Sequence, residues 1–182
     1  SLSKSAVEQF IGDKRDLKHL QSKSSSINHD LELLEIRKKL QSILSVRGCF
    51  SENMLMTGAL DDNEEIRALR KINPDAILKL ELDKKNFFLP LEYEATPKFM
   101  ARYDKLITKY HLLDEAKAVL YISKTKDIQK KVMGAEKRKA KRGKFFHILH
   151  QELLESNANI TFKNINGDQL VLTGSKIADK AC

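Results

Sequence analysis

Between Pro74 and Lys98 the chain reads PDAILKLELDKKNFFLPLEYEATPK: two apolar runs, Ala76–Leu82 and Phe87–Tyr93, parted by the polar tetrad Asp83-Lys84-Lys85-Asn86. Two runs of strand length around such a tetrad predict an antiparallel hairpin. With Lys84 and Lys85 as the loop, Asp83 faces Asn86, Ile77 faces Glu92 and Asp75 faces Glu94. Opposed residues share a face with Cβ atoms about 5 Å apart. Asp75, Glu92 and Glu94 are therefore expected on one patch at the open end of the hairpin. Pro74 biases Asn73 toward extended backbone, consistent with a strand starting at Asp75.

Other patterns flank this hairpin. Residues 6–20 suit a short helix, followed by a Ser-Lys-Ser-Ser-Ser linker. From Asn28, a fair N-cap, Leu31, Leu34, Leu40 and Ile43 recur near the helical period. The charges Asp30, Glu32 and Glu35 on that helix read chiefly as a solvated face. Arg47–Phe50 can begin a strand, and the acidic loop 61–65 can start a short helix through Leu69. Thr96 as N-cap and Pro97 at the first helical position predict a helix carrying Phe99, Met100, Tyr103, Leu106, Ile107 and Tyr110 down to His111. Lys117–Ser123 has the near-continuous apolar character of a strand buried on both faces. A strand–helix–strand order then places it beside the Glu92 strand through a right-handed crossover. Phe145 to Leu154 reads as an amphipathic helix, and Asn159–Lys163 with Gln169–Thr173 as a closing hairpin around Asn166-Gly167. The expected fold class is α/β, a mixed central sheet flanked by helices. Residues 1–27 form an N-terminal helix and linker, 28–174 the domain and 175–182 a tail.

Three carboxylates on one patch raise one another's pKa unless a cation sits among them. Oxygen-only ligands from adjacent strands suit Mg²⁺ or Mn²⁺ better than Zn²⁺. Lys98, one turn beyond Glu94, can supply positive charge to steady an attacking hydroxide or a phosphate, although an ordinary exposed helix lysine is the commoner role for it and for Lys105.

Pro74-Asp75, an intervening hairpin and Glu92-Tyr93-Glu94 together resemble the PD-(D/E)XK nuclease superfamily. The resemblance implies a restriction-endonuclease-like core in which Asp75 and Glu92 bind the metal that activates water for phosphodiester hydrolysis, while Glu94 as a further ligand and Lys98 as a catalytic group rest on their spacing alone. That superfamily usually has Lys where this chain has Glu94, and some of its restriction endonucleases carry Glu there. Within it, Glu92-Tyr93-Glu94-Ala95-Thr96 followed by Lys105-Leu106 and Tyr110, with Asn28-His29-Asp30-Leu31 opening a helix, is similar to the replication-relaxation family of plasmid and mobile-element proteins. The likeness runs from about Asn28 to Glu155, and it would place a winged-helix DNA-binding domain before the segment.

Charge adds a second feature. Lys124, Lys126, Lys130, Lys131, Lys137, Arg138, Lys139, Lys141, Arg142 and Lys144 face only two acids, Asp127 and Glu136, within one block. The formal net charge of the whole chain is +8, and residues outside the block are balanced at 23 basic and 23 acidic. A localised block of this kind suits a phosphate backbone and implies salt-sensitive, sequence-independent affinity. Ala135–Lys144 has almost no apolar face to insert into a membrane. The block has no interleaved aromatics, so it does not itself indicate base stacking.

The 182 residues suffice for one domain with a real core, and no apolar run approaches a bilayer span. Two cysteines, Cys49 and Cys182, make neither a disulfide framework nor a ligand spacing. A cytoplasmic protein is expected, with DNA as partner, no membrane contact, and a homodimer or replication and mobilisation proteins as further partners. Two functions follow: a Mg²⁺- or Mn²⁺-dependent endodeoxyribonuclease acting in plasmid replication or mobilisation, or a catalytically inactive DNA-binding accessory module of the same fold.

Overall fold

Alternating apolar positions at Ala76–Leu82 (β2) and Lys85–Glu94 (β3) produce the expected antiparallel hairpin. The computed structural model describes residues 27–174 apart from 59, 61, 62, 83, 141 and 158. The helix expected at residues 6–20, the tail 175–182 and Lys141 lie outside the described residues.

The hairpin register differs from expectation by two residues. Leu82 pairs with Lys85, Ile77 with Pro90 and Ala76 with Leu91, so the loop lies one residue earlier than Lys84-Lys85. Lys84 takes the left-handed conformation, with φ of 63°, that such a tight turn demands. A two-residue shift preserves which face each side chain occupies, whereas a one-residue slip would reverse it. Continuing the ladder one step beyond Ala76–Leu91 sets Asp75 opposite Glu92, where Glu94 had been expected.

Helix Ile27–Gln41 (α1) precedes the sheet, which lies in the unit that starts at Glu35. Within that unit Ile36, Leu40 and Ile43 are buried and Glu35 is exposed. Val46–Ser51 (β1) pairs antiparallel with β2. Two short helices, Glu52–Met56 (α2) and Glu64–Arg70 (α3), then lead to Pro74, each N-capped by a side chain, Ser51 and Asn63. Asn73 is left-handed at φ 64°, not extended as Pro74 suggests. Its side chain donates to Glu52 Oε1 at 2.7 Å, and asparagine tolerates this backbone region better than most residues.

After β3 the chain crosses through Met100–Leu112 (α4) to Val119–Ser123 (β4), which lies parallel to β3 as expected. The helix starts at Met100 with Phe99 as its cap, later than the Thr96-Pro97 start, and Lys98 N–H donates to the Tyr103 hydroxyl at 2.9 Å. Every residue of β4 is buried. Lys126–Lys139 (α5) follows, with the Thr125 hydroxyl capping Ile128 N–H and Ile128, Val132, Ala135 and Glu136 facing inward.

The segment expected to be one helix from Phe145 to Leu154 divides. Phe145–Leu149 is a strand (β5) parallel to β4, and only His150–Glu155 (α6) is helical. The run is five residues long, and pairing with an interior strand satisfies its backbone better than a helix would. Asn159–Lys163 (β6) and Gln169–Thr173 (β7) close the sheet as the expected hairpin, with Gly167 at φ 88° in the turn. The seven strands stand in chain order across one mixed sheet. One face packs Ile77, Phe88, Val119, Tyr121 and Phe145 into a core with Tyr103, Ile107 and Tyr110 of α4 and Ile128, Val132 and Ala135 of α5. Among the described residues, no helix is long and apolar enough to cross a membrane.

Candidate functional site

The sheet register lines up one row of polar side chains. Glu92 aligns with Tyr121 and Tyr121 with His147 on successive parallel strands, and Asp75, just before β2, lies close enough to Glu92 for its charge to act on it. Aligned residues share a face, and here that face lies under α4 and α5.

Asp75 is fixed at both ends. Its backbone carbonyl accepts from Glu52 N–H at 3.1 Å, and its Oδ2 accepts from Tyr93 N–H at 2.7 Å. Glu92 receives the Tyr110 hydroxyl on Oε1 at 2.5 Å. Burial pushes the Glu92 carboxyl well above its usual range, and the negative charge of Asp75 adds to the rise. The Tyr110 bond and the Arg102 guanidinium pull the other way, while Glu94 pushes up. Tyr110 is itself raised well above its ordinary value by burial and the adjoining Glu92 charge, so it stays a proton donor to Glu92. Tyr121, next in the row, is raised first by burial and then by Glu94 and Glu92.

Glu94 lies beyond this pair. Lys98 Nζ comes within 3.3 Å of Glu94 Oε1 and also donates to Thr96 Oγ1 at 3.2 Å. Burial raises the Glu94 carboxyl, opposed by Lys98 and Arg102. Among the described residues, no three His, Cys, Asp or Glu side chains are grouped so as to hold a metal ion. The three-carboxylate ligand set of Asp75, Glu92 and Glu94 is thus not formed: the register shift sets Asp75 against Glu92, and Glu94 turns to Lys98. The donor set of Asp75 and Glu92 still fits a hard cation, because Mg²⁺ commonly takes one or two carboxylates and completes its shell with water and phosphate oxygens.

The basic block divides by role. Lys124, Lys126, Lys130, Lys131, Lys137 and Arg142 are exposed. Lys124 N–H donates to the Glu94 carbonyl at 3.0 Å, so the block begins beside the acids. Arg138 and Lys139 turn toward Asp104 on α4, at 3.1 and 3.8 Å. There Asp104, Lys105, Thr108, Lys109, Leu112 and Lys139 line a shallow groove of about 300 Å³, and this is where Lys105 lies. Lys144 points inward, where its Nζ donates to the carbonyls of Tyr110 and Leu113 at 2.8 and 2.9 Å and closes the end of α4. Glu136, one of the two acids of the block, is fully buried and ties α5 to β5 by accepting from Lys144 N–H at 2.9 Å and Phe145 N–H at 3.1 Å.

Arg102, Tyr110 and Tyr121 are members of the site that sequence reasoning does not select for it. The helical stripe puts Tyr110 in the core, where it is, but its hydroxyl reaches the sheet. A tyrosine on the buried stripe of a helix packed over an acid-bearing strand is the signal that identifies it, since a buried hydroxyl needs a partner. Comparison with family models, curated proteins and solved structures returns no match to this chain.

Proposed function

We propose that Asp75 and Glu92 hold a divalent cation, Mg²⁺ or Mn²⁺, and that the protein is a nuclease-like DNA-binding module acting on phosphodiesters in plasmid or mobile-element replication or mobilisation. The observation that carries this reading is the closeness of two carboxylates at the open end of the hairpin: Asp75, just before β2, accepts from Tyr93 N–H at 2.7 Å, and Glu92 on β3 is held at a raised pKa by burial and by Asp75. The nearby lysine is engaged with Glu94 instead. The cost of keeping two neighbouring carboxylates ionised is offset by a bound cation.

A cation bound there would lower the pKa of a coordinated water and neutralise charge developing on a phosphate. The chain's own groups do the rest. Tyr110 fixes the Glu92 carboxylate, Tyr93 N–H fixes Asp75, and Lys98 and Arg102 bring positive charge to the phosphate side. Lys124 and the exposed cations of α5 hold the backbone of the nucleic acid. The mixed sheet, with its acids on a hairpin and a helical crossover to the parallel β4, accords with a restriction-endonuclease-like core. The PD-(D/E)XK resemblance of Pro74-Asp75 and Glu92-Tyr93-Glu94 supports the same reading.

A second reading keeps the fold and the DNA contact without hydrolysis. The Glu94–Lys98 ion pair favours it, because Glu94 occupies the position where a lysine is usual and neutralises the lysine one turn away. Incubation of supercoiled plasmid with Mn²⁺ separates the two. Nicking by the parent that is lost in both Asp75→Ala and Glu92→Ala establishes hydrolysis at this site. No nicking, with binding retained, leaves the accessory module, and equal nicking by all three proteins contradicts the catalytic assignment.

A further inference from the structure

We propose that Phe99 is a stacking platform for an unpaired nucleobase next to the Asp75–Glu92 site, so that the nucleic acid bound there carries a single-stranded stretch. This rests on the nucleic-acid reading above and adds a substrate class to it. Phe99 is 92% exposed, whereas Tyr103 and Tyr110 on the same helix are buried. Its backbone is extended, it makes no side-chain capping bond, and its carbonyl accepts from Arg102 N–H at 3.0 Å. Its neighbour Lys98 reaches Glu94 at 3.3 Å, and Arg102 is close enough to act on both the Glu92 and Glu94 carboxyls. The exposed ring therefore belongs to a short segment that also carries Lys98, paired with Glu94, and Arg102, whose charge acts on Glu92 and Glu94.

Bases and phosphates alternate along a strand, and an aromatic face among cations matches that alternation: the ring takes a base and the cations take phosphates. Within an intact duplex the base faces are covered by their neighbours, so the occupant is an unpaired base. A protein partner fits less well. The other strongly exposed apolar residue of this helix, Leu112 at 80%, lies about 20 Å along the axis from Phe99. The two do not form one continuous patch.

The chain contains no tryptophan, so Phe99→Trp introduces a single fluorescent reporter at an exposed position. Its emission is expected to be quenched by oligothymidine and far less by a blunt duplex of equal length. Phe99→Ala is expected to weaken oligothymidine binding about tenfold, the size of one lost base–aromatic stack, and to leave duplex affinity unchanged. Equal quenching by strand and duplex, an unaltered affinity in Phe99→Ala, or a change confined to self-association in light scattering would overturn the proposal. Mn²⁺ titration of the parent and Phe99→Ala keeps the two readings apart. Failure of the parent to bind Mn²⁺ sinks the cation assignment, while the quenching result alone decides the stacking contact.

Discussion

Asp75 lies just beyond the Ala76–Leu91 pair that ends the β2–β3 ladder, and its charge is, after burial, the strongest cause of the raised Glu92 carboxyl. Two neighbouring carboxylates, one of them raised by burial, oppose each other's ionisation and so cost stability wherever both are charged.

Glu92→Gln removes the charge that burial and Asp75 oppose. The folded pKa of Glu92 lies above its unfolded value, so the native state binds more protons and its stability falls as pH rises through that interval. Glu92→Gln is therefore expected to raise the melting temperature of the cation-free protein at neutral pH, at roughly 2–4 °C per kcal/mol recovered for a chain of this size. If the proposed cation site is right, Mn²⁺ is expected to raise the melting temperature of the parent and not that of Glu92→Gln. Differential scanning calorimetry with and without Mn²⁺ checks both, and a lower cation-free melting temperature for Glu92→Gln would contradict the account.

Tyr110→Phe removes the hydroxyl that holds Glu92 Oε1. Groups that orient a ligand typically contribute about 10- to 100-fold to metal affinity. Isothermal titration with Mn²⁺ is expected to show a loss in that range with near-parental helix content by circular dichroism. An unchanged affinity would remove Tyr110 from the site.

Lys144 and the exposed lysines of α5 are separable. Lys144→Met breaks the bonds that close α4, with an expected cost of about 1–3 kcal/mol in urea unfolding. Lys126→Ala, Lys130→Ala and Lys137→Ala are expected to leave stability nearly unchanged. Each that contacts a phosphate is expected to lower the salt dependence of DNA binding by about one unit of logarithmic slope. Salt titrations of binding distinguish the two classes; an undiminished slope in the triple variant would place the DNA contact elsewhere.

His111 faces Glu136 at 3.3 Å, and burial, helped by the charges of Lys144 and Arg142, lowers its pKa against the raising effect of the carboxylate. With the folded value below the unfolded one, the unfolded chain binds more protons, so stability is present above the unfolded pKa and is lost as pH falls through the folded value. Urea midpoints between pH 8 and about 5 are expected to fall more steeply in the parent than in His111→Phe. Parallel profiles would contradict this.

The hairpin, the crossover to β4 and the closing pair β6–β7 are legible in the sequence because alternation and continuous apolar runs carry a period. The register is not, because it depends on which loop residue adopts positive φ, and Lys84 gives no compositional hint of doing so. Asp75 and Glu92 nonetheless keep the face expected of them, since the register differs by an even number of residues. Phe145–Leu149 reads wrongly as helix because a five-residue apolar run carries no period, and its partner strand lies more than twenty positions earlier. Tyr110 reaches Glu92 from a helix packed over the strand, a contact between elements that neither pattern contains. The basic block is visible as charge, but the turn of Lys144 to buried carbonyls and the surface pairing of Arg138 and Lys139 with Asp104 require the placement of α4 beside α5.

A crystal soaked with Mn²⁺ and measured at its absorption edge tests the cation site most directly. One anomalous peak within coordinating distance of both the Asp75 and Glu92 carboxylates, absent in Glu92→Gln, is the predicted result. A map with no peak between those two side chains at saturating Mn²⁺ would contradict it.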